Sequence, residues 1–549
     1  MKKKVVSMLL TICMVLSMCA CGSTGGTKES ETKVSESKES STAVSSAETE
    51  ASAEEEPGSL YPLVEEPVTV KAVFVGNNPS DSESRIVWDK VSEITGINIE
   101  WEVVDAESIA TYLAGGDWPD FIHANLSSTL VYDYGTIGGR FVNFLDHLDQ
   151  MPNLVQAFED YPVAKKGFTE VNGEMYKLPG IEVSVTGIYT KYHVLTDVLD
   201  EAGVEMPTTV EEFEQALRDL KDYYGTPSWI PRLNVDKSCW GSFIYTAFGT
   251  DTDMVWNADE NGNVVYAGST DQMRHYYEYM NSLYEQGLIH QECATMDNTV
   301  RQELELSGTV AFPDQAAAKV QPDENGEYHI ACMAPLTSEY DDTQEVMGAL
   351  PIYNNFSIYI NNDSEYVNEL CQMMDIMYAT EEVVEGSGLY GASFCYGLEG
   401  VHWEYGEEGS GVYSMYCPEE YGSFNTYQYA ELIWQNSGRC DAFAGLVTDT
   451  VGNSQARQLA YVEGIHPYIE SDDDIFPRFF LKFTDDEQYV IDSKWTEIET
   501  YVKKMQVEFI TGVTDIETGW DEYCETLKKM GIEDVTKVYQ QAYDRWCSY

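Results

Sequence analysis

The sequence predicts an α/β fold built on a parallel sheet, with room for more than one domain. Between residues 68 and 122, strand-like and helix-like segments alternate as β-α-β-α-β. That alternation is the sequence mark of helical crossovers between parallel strands. The chain has 549 residues, 43% of them hydrophobic, which is ordinary globular composition at a length that supports two or more domains and a large core.

Charge narrows the partners. There are 94 acidic and 32 basic residues, a formal net charge of -62. Residues 22–58 hold nine Glu against three Lys, so nearly all the acidity belongs to the folded body. Such a surface repels phosphate backbones and anionic headgroups, which excludes nucleic acid as a partner.

The first residues are a targeting segment. Lys2, Lys3 and Lys4 form a positive start, and residues 5–16 form an apolar run too short to span a membrane comfortably. Ala20-Cys21 follows. A small residue before a cysteine, just past an apolar run, resembles a bacterial lipoprotein signal, which implies cleavage after residue 20 and acylation of Cys21. The expected location is the extracellular face of a bacterial membrane, lipid-anchored. Residues 21–58, rich in Ser, Thr and Glu, cannot bury enough apolar surface to order themselves and read as a disordered tether. Beyond this region nine cysteines are scattered without CxxC pairs, so no disulfide framework is expected and most read as small core residues.

The body then unfolds in order. Residues 68–75 (VTVKAVFV) alternate and are β-rich, and Asn78 lies just beyond that strand. Residues 84–94 place Ile86, Val87, Val91 and Ile94 on one helix face, and Gly96 stops the helix. Residues 97–103 form a second strand and 106–114 a second helix, ended by Gly115-Gly116. Trp118, read as structural, turns the chain with Pro119 and Asp120 into the short strand Phe121-Ile122. His123, Asn125, Ser127 and Ser128 follow. Ligands of open α/β sheets bind outside the carboxyl ends of the strands, so this stretch reads as one wall of a cleft.

Further on, 144–148 starts a helical passage, 171–176 carries the Asn-Gly of a tight hairpin and 187–189 is a strand. A helix starts at 207–213 (PTTVEEF) with a Thr cap and a Glu three residues on. Residues 271–286 are helical up to Gly287. The D-E-N-G stretches at 259–262 and 323–326 read as hairpin turns, because neither has the alternating oxygens of a calcium loop. Residues 307–312, 330–335 and 356–360 are strands, and 365–378 is a helix whose methionines read as core. Residues 396–403 are aromatic and broken by glycine. Helices are expected at 421–436, 454–463, 485–509 and 520–546. No HExxH or GxSxG motif occurs, and His290 and Cys293 stand alone, so no metal site or cofactor is expected.

Several of these pieces together resemble the extracellular solute-binding proteins (family 1) of ABC transporters, in particular the long lipoprotein members associated with oligosaccharide uptake. They are 113–122 (LAGGDWPDFI), 172–179 (NGEMYKLP), 207–213, 283–288 (LYEQGL), 396–403, and a C-terminal set ending in 538–545 (VYQQAYDR). The resemblance spans nearly the whole mature chain, in order. It implies a two-lobe fold of periplasmic-binding-protein type II, with a hinge between the lobes and a ligand cleft at their interface. The expected domains are a signal peptide at 1–20, the tether at 21–58, a first lobe of 68–182 with 337–379, and a second of 183–336 with 380–549. It further implies delivery of a captured oligosaccharide to permease subunits, by a monomer. Much of the family has a calcium loop after the PTTVEEF helix. Here residues 221–231 read KDYYGTPSWIP, shortened and without the oxygen ligands, so that site is not expected.

Sugars offer apolar CH faces to aromatic rings and hydroxyl edges to planar polar groups. Asn78, His123 and Asn125 qualify by following strands, as does Asp314. Trp240, in the polar setting SCWGS, resembles the family's stacking aromatics. Trp403, Trp434 and Trp229 complete the candidates. A glycoside hydrolase would need a distinguishable carboxylate pair, and carboxylates are too abundant here to single one out, so no catalytic residue is expected. A peptide-binding or signalling lipoprotein of the same architecture is the other alternative.

Overall fold

The computed structural model describes residues 60–76, 85–182, 193–231, 233, 244–250, 256–313, 320–346, 350–353, 357–406, 412–416, 438–441, 447–448, 453–469 and 475–549. Its first lobe grows from β1 (Val68–Val75), whose alternation supplies both faces of a sheet at once. Val70, Ala72 and Phe74 enter one core, while Val73 and Val75 enter another on the opposite face. Helix α1 (Ile86–Thr95) covers the first face with Val87, Trp88 and Val91, and Gly96 ends it in the left-handed region at φ 78°. Strand β2 (Ile97–Val104) runs parallel to β1, with Val68 opposite Ile97. Helix α2 (Ile109–Ala114) covers the other face with Ile109 and Leu113. Strand β3 (Phe121–Ala124) returns to the far side of β1, again parallel, with Ala72 opposite Phe121. The β-α-β-α-β expectation is thus met element by element, and the chain reverses its winding direction between β1 and β3.

A short α3 (Ser128–Val131) follows, then α4 (Pro152–Asp160) and α5 (Pro162–Phe168), each started by a proline. The Asn-Gly stretch forms a tight turn, closed by Glu170 N–H donating to the Glu174 carbonyl at 2.8 Å, but no strands pair on either side of it. Strand β4 (Gly180–Ile181) then leaves the lobe.

The second lobe is mostly helical. Strand β5 (His193–Leu195) leads into α6 (Thr196–Ala202) and α7 (Val210–Tyr224). Thr209 caps α7 by accepting from Glu212 N–H, while the Glu212 carboxylate reaches back to Thr208. Strands β6 (Trp256–Ala258) and β7 (Val264–Tyr266) pair across the first D-E-N-G turn as expected. Helices α8 (Asp271–Glu285) and α9 (Asn298–Glu305) follow, then β8 (Ile330–Cys332), antiparallel to β5. Residues 307–312, expected as a strand, make only the single bridge Phe312–Trp229. Their apolar run is buried by docking against Ser228 and Leu195 backbone groups, not by a ladder of their own.

The chain recrosses through β9 (Ile352–Tyr353) into β10 (Ser357–Ile360), which pairs antiparallel with β3 and completes the sheet order β10-β3-β1-β2. Helix α10 (Val367–Asp375) buries Met373 and Met374, as its methionine stripe predicts. Helix α11 (Gly391–Tyr396) precedes β11 (Trp403–Tyr405), β12 (Val412–Met415) and β13 (Val447–Thr448). Helix α12 (Asn453–Gly464) rejoins the second core. The long helix expected at 520–546 is two helices, α14 (Ile516–Met530) and α15 (Ile532–Ser548), broken at Gly531 with φ 95°; they pack with α13 (Asp485–Ile510). The strand expected at 187–189 and the helix at 421–436 lie outside the described residues.

Apolar packing divides into two principal cores. One holds Phe74, Trp88, Phe121, Met373 and Leu389; the other holds Phe213, Tyr276, Met280, Phe509 and Leu527. Val346 packs in the second and Phe394 and Leu398 in the first.

Candidate functional site

Two features of the fold converge on one region. The first is the switch point, where the carboxyl ends of β1 and β3 lie side by side and the connections that follow them diverge. Gly76 and Asn125 stand there, and Ser127 caps α3 by accepting from Leu130 N–H. Asn125 is exposed at this edge.

The second is the crossing between lobes. Strand β4 pairs antiparallel with β9 on one side. On its other side lies the segment 438–440: Ile181 N–H donates to the Gly438 carbonyl and Cys440 N–H to the Ile181 carbonyl, both at 2.8 Å. This third segment is pinned to the first lobe. Cys440 is disulfide-bonded to Cys395 of α11, with the Cα atoms 6.1 Å apart. The Arg439 guanidinium, only 8% exposed, bonds Asp160 at 2.6 Å and Asp441 at 2.7 Å. Tyr161 donates to the same Asp441 carboxylate at 3.0 Å. Arg439 holds the Asp160 carboxyl below the usual carboxylate range. The disulfide corrects the expectation of unpaired core cysteines. Forty-five positions separate its partners, and no local spacing signals such a bond. Cys293 and Cys371 are buried, as expected.

Beside the crossing stands an aromatic group. Trp403 and Tyr413 form its buried centre, with Tyr390, Tyr396 and Met415 packed around them. The Tyr390 and Tyr405 hydroxyls are hydrogen-bonded to each other, and Tyr405 is 42% exposed. Glu182, directly after β4, lies against this group. Its N–H donates to the Pro351 carbonyl, and burial pushes its carboxyl up to about 7. Burial, then the Glu182 charge, holds the Tyr396 phenol well above its ordinary value. A half-buried carboxyl among tyrosines is the chemistry that meets a polyol: acceptors for hydroxyls and faces for CH groups.

The residues singled out in sequence divide three ways. Asn125 is at the strand-end wall. His123, Trp229 and Trp403 are corrected to packing positions. His123 lies inside β3, 1% exposed, edge-on to Phe74 at 5.5 Å; desolvation lowers its imidazole to about 3. The strand runs two residues further than Phe121-Ile122, which draws His123 into the core. Trp229 is 3% exposed and packs edge-on to Phe213 in the second core. Trp403 is fully buried, its indole N–H donating to the Gly397 carbonyl at 2.8 Å. Asn78, Trp240, Asp314, Trp434 and the acylation candidate Cys21 lie outside the described residues. Trp118 is structural, as read: its indole N–H donates to the Leu113 carbonyl, and Arg140 stacks over its ring. Sequence reading missed Glu182, Arg439 and Asp441, whose significance comes only from the crossing strands.

Among the described residues, Asp323, Glu327 and His329 are the group spaced for a metal. Asp323 there organises its own turn, accepting from Asn325 N–H at 2.8 Å and Glu327 N–H at 2.9 Å. In the stretch where the resembling family carries a calcium loop, α7 runs to Tyr224, Gly225 turns the chain, and Trp229 and Ile230 are buried.

Comparison with known proteins supplies the context. A family model described as a domain of unknown function (DUF3502) matches residues 479–548, which are the helices α13 to α15 and their approach. The chain is homologous to the fructooligosaccharide ABC transporter substrate-binding protein FusA of Streptococcus pneumoniae, at 22% identity over 520 residues, 89% of this chain and 92% of that protein. The structure of FusA in complex with kestose superposes with a TM-score of 0.64, covering 88% of this chain and all of that one, at 19% identity. An HMO-binding ABC-transporter-associated solute-binding protein of Bifidobacterium longum infantis superposes with a TM-score of 0.66, covering 88% of this chain and 99% of that one, at 18% identity. The fold is that of the two-lobed solute-binding proteins.

Proposed function

We propose that this chain is an extracellular substrate-binding protein that captures an oligosaccharide between its lobes and delivers it to the permease of an ABC transporter. The observation that carries the proposal is end-to-end correspondence with FusA, in sequence and in fold, together with a hinge beside tyrosines and a half-buried carboxyl. The expected lobes, 68–182 with 337–379 and 183–336 with 380–549, shift in our reading to 68–182 with 350–398 and 193–346 with 453–549, because Val346 packs in the second core and Leu389, Phe394 and Leu398 in the first, where Phe480 also reaches. Asn125 contacts ligand from the first lobe; Asn78, Trp240, Asp314 and Trp434 are the further contacts expected from sequence. Cys21 carries the lipid, residues 22–58 tether the lobes to the membrane, and the protein acts as a monomer without catalysis.

A thermal-shift screen of residues 59–549 against plant, host and microbial oligosaccharides and short peptides tests this reading. Ligand that binds only the folded state raises the melting temperature, by an amount that grows with concentration over Kd. A rise with one sugar class and no turnover of that sugar is the expected result. A rise with peptides alone, or hydrolysis of the sugar, refutes it.

A further inference from the structure

Glu182 occupies an unusual position. It is the first residue after β4, on the strand that crosses between lobes. Its backbone is fixed by the Pro351 carbonyl at 3.2 Å. Among the described residues its carboxyl accepts no side-chain hydrogen bond and meets no cation. The nearest cation along the crossing, Arg439, is taken by Asp160 and Asp441. The titratable groups on the elements packed against β4 are Tyr353 of β9, Tyr396 of α11, Tyr378, whose hydroxyl donates to the Pro179 carbonyl at 2.7 Å, and Arg439 with Asp441 of the crossing segment. None of them neutralises Glu182. The carboxyl is half-buried beside Tyr396 and keeps acceptor capacity that nothing among the described residues uses, and an unpaired, perturbed carboxyl next to the strands that cross between lobes is placed where a ligand can reach it.

We propose that Glu182 is a ligand-binding group at the base of the interlobe cleft, accepting hydroxyl hydrogen bonds from a neutral sugar ring stacked near Tyr396 and excluding acidic sugars. This inference rests on the oligosaccharide reading above and narrows its ligand class. A carboxylate offers two acceptor oxygens to adjacent sugar hydroxyls. The same charge repels the carboxylate of a uronic or sialic acid, and the chain's net charge of -62, nearly all of it in the folded body, leaves little to offset it. The ionised form accepts from two hydroxyls at once and more strongly, whereas the protonated form gives one oxygen over to its own O–H. With the free carboxyl held up at about 7 by burial, ligand binding draws the proton off, so affinity rises with pH through neutrality.

Calorimetry on the wild-type protein with kestose, maltotriose, mannotriose and an alginate trisaccharide, from pH 6 to pH 8, tests this. Wild type is expected to bind a neutral trisaccharide about tenfold more tightly at pH 8 than at pH 6, the change expected for one group of pKa near 7 that must be ionised. Glu182→Gln should lose about tenfold at pH 8 and show a flat pH profile. Glu182→Asp should restore part of the pH dependence. Glu182→Gln should also melt no lower than wild type at pH 8, since it removes an uncompensated charge; a lower melting temperature assigns Glu182 a structural role and overturns the proposal. Equal affinity of wild type and Glu182→Gln, a flat wild-type profile, or tight binding of the alginate trisaccharide overturns it while leaving the oligosaccharide reading intact. A wild type that binds none of the four sugars at any pH, and no sugar in the thermal-shift screen, overturns both.

Discussion

The two lobes are specified by different kinds of sequence signal. In the first, β1 and β2 are eight residues each, and helices follow them with clear apolar faces. In the second, the strands β5 and β8 are three residues each, and β5 also leans on the Ala311 carbonyl by a long-range backbone bond. Long strands carry their own period-2 pattern. Three-residue strands carry too little pattern to be seen and are held in place by α12, whose Tyr461 ring meets His193 of β5 at 4.8 Å. The first lobe is written locally and the second is assembled by packing.

The largest test asks whether this difference is also a difference in cooperativity. Phe121→Ala removes a fully buried ring from the first core and should cost about 3–5 kcal/mol; Leu527→Ala in the second should cost about 2–5 kcal/mol. Scanning calorimetry should show each lowering a separate transition. A single transition that moves with both would mean that the C-terminal helices, which contact the first lobe through Lys482–Glu170 and Tyr132–Asp485, fuse the two cores into one unit.

The disulfide sharpens the comparison next. Cys395→Ser frees the third crossing segment from α11 and should cost about 2–4 kcal/mol, all of it on the first-lobe transition, because both partners are anchored there. Loss on the second-lobe transition would show that segment 438–441 belongs to the other lobe.

What could be read from sequence follows the same division. The β-α-β-α-β run, the Thr209 cap and the Asp259–Gly262 turn were legible because each depends on neighbours within a few residues. The break at Gly531 was missed because a lone glycine in a periodic stretch is tolerated often enough to pass as helix. The site was the least legible part. His123 reads as a strand-end ligand only if β3 ends at Ile122, two residues short of its end at Ala124. Trp229 and Trp403 carry no local mark that separates a core indole from a stacking one. Glu182 is one acid among 94 acidic residues, and its meaning depends on a crossing strand whose partners lie about 170 and about 257 positions away in the chain.

A smaller effect tests the corrected reading of His123. Its imidazole is held to about 3 by desolvation, against an ordinary 6.5. The folded state therefore disfavours the proton that the unfolded chain takes up. Stability is complete above pH 6.5 and falls as pH drops through 6.5 towards 3, by about 2 kcal/mol between pH 7 and pH 5 for this residue. His123→Gln, which cannot take the proton, should be flatter over that range in the first-lobe transition. His402, lowered to about 4 by burial, titrates in the same direction in both proteins, so the difference between them isolates His123. A difference near zero would place His123 in water, at the cleft after all.

The smallest effect is the most local. Thr484 caps α13, accepting from Glu487 N–H at 3.3 Å, while the Glu487 carboxylate accepts from Thr484 N–H at 2.8 Å. Thr484→Ala removes the first bond and keeps the second, since Glu487 is held independently by Arg545 at 2.6 Å. The expected loss is about 1 kcal/mol on the second-lobe transition, read by urea denaturation. The start of α13 is also where Asp485 receives the Tyr132 hydroxyl from the first lobe. If Thr484→Ala costs several times the value of a cap, or lowers the first-lobe transition as well, the start of this helix is a docking joint. The second lobe would then be assembled against the first, not beside it.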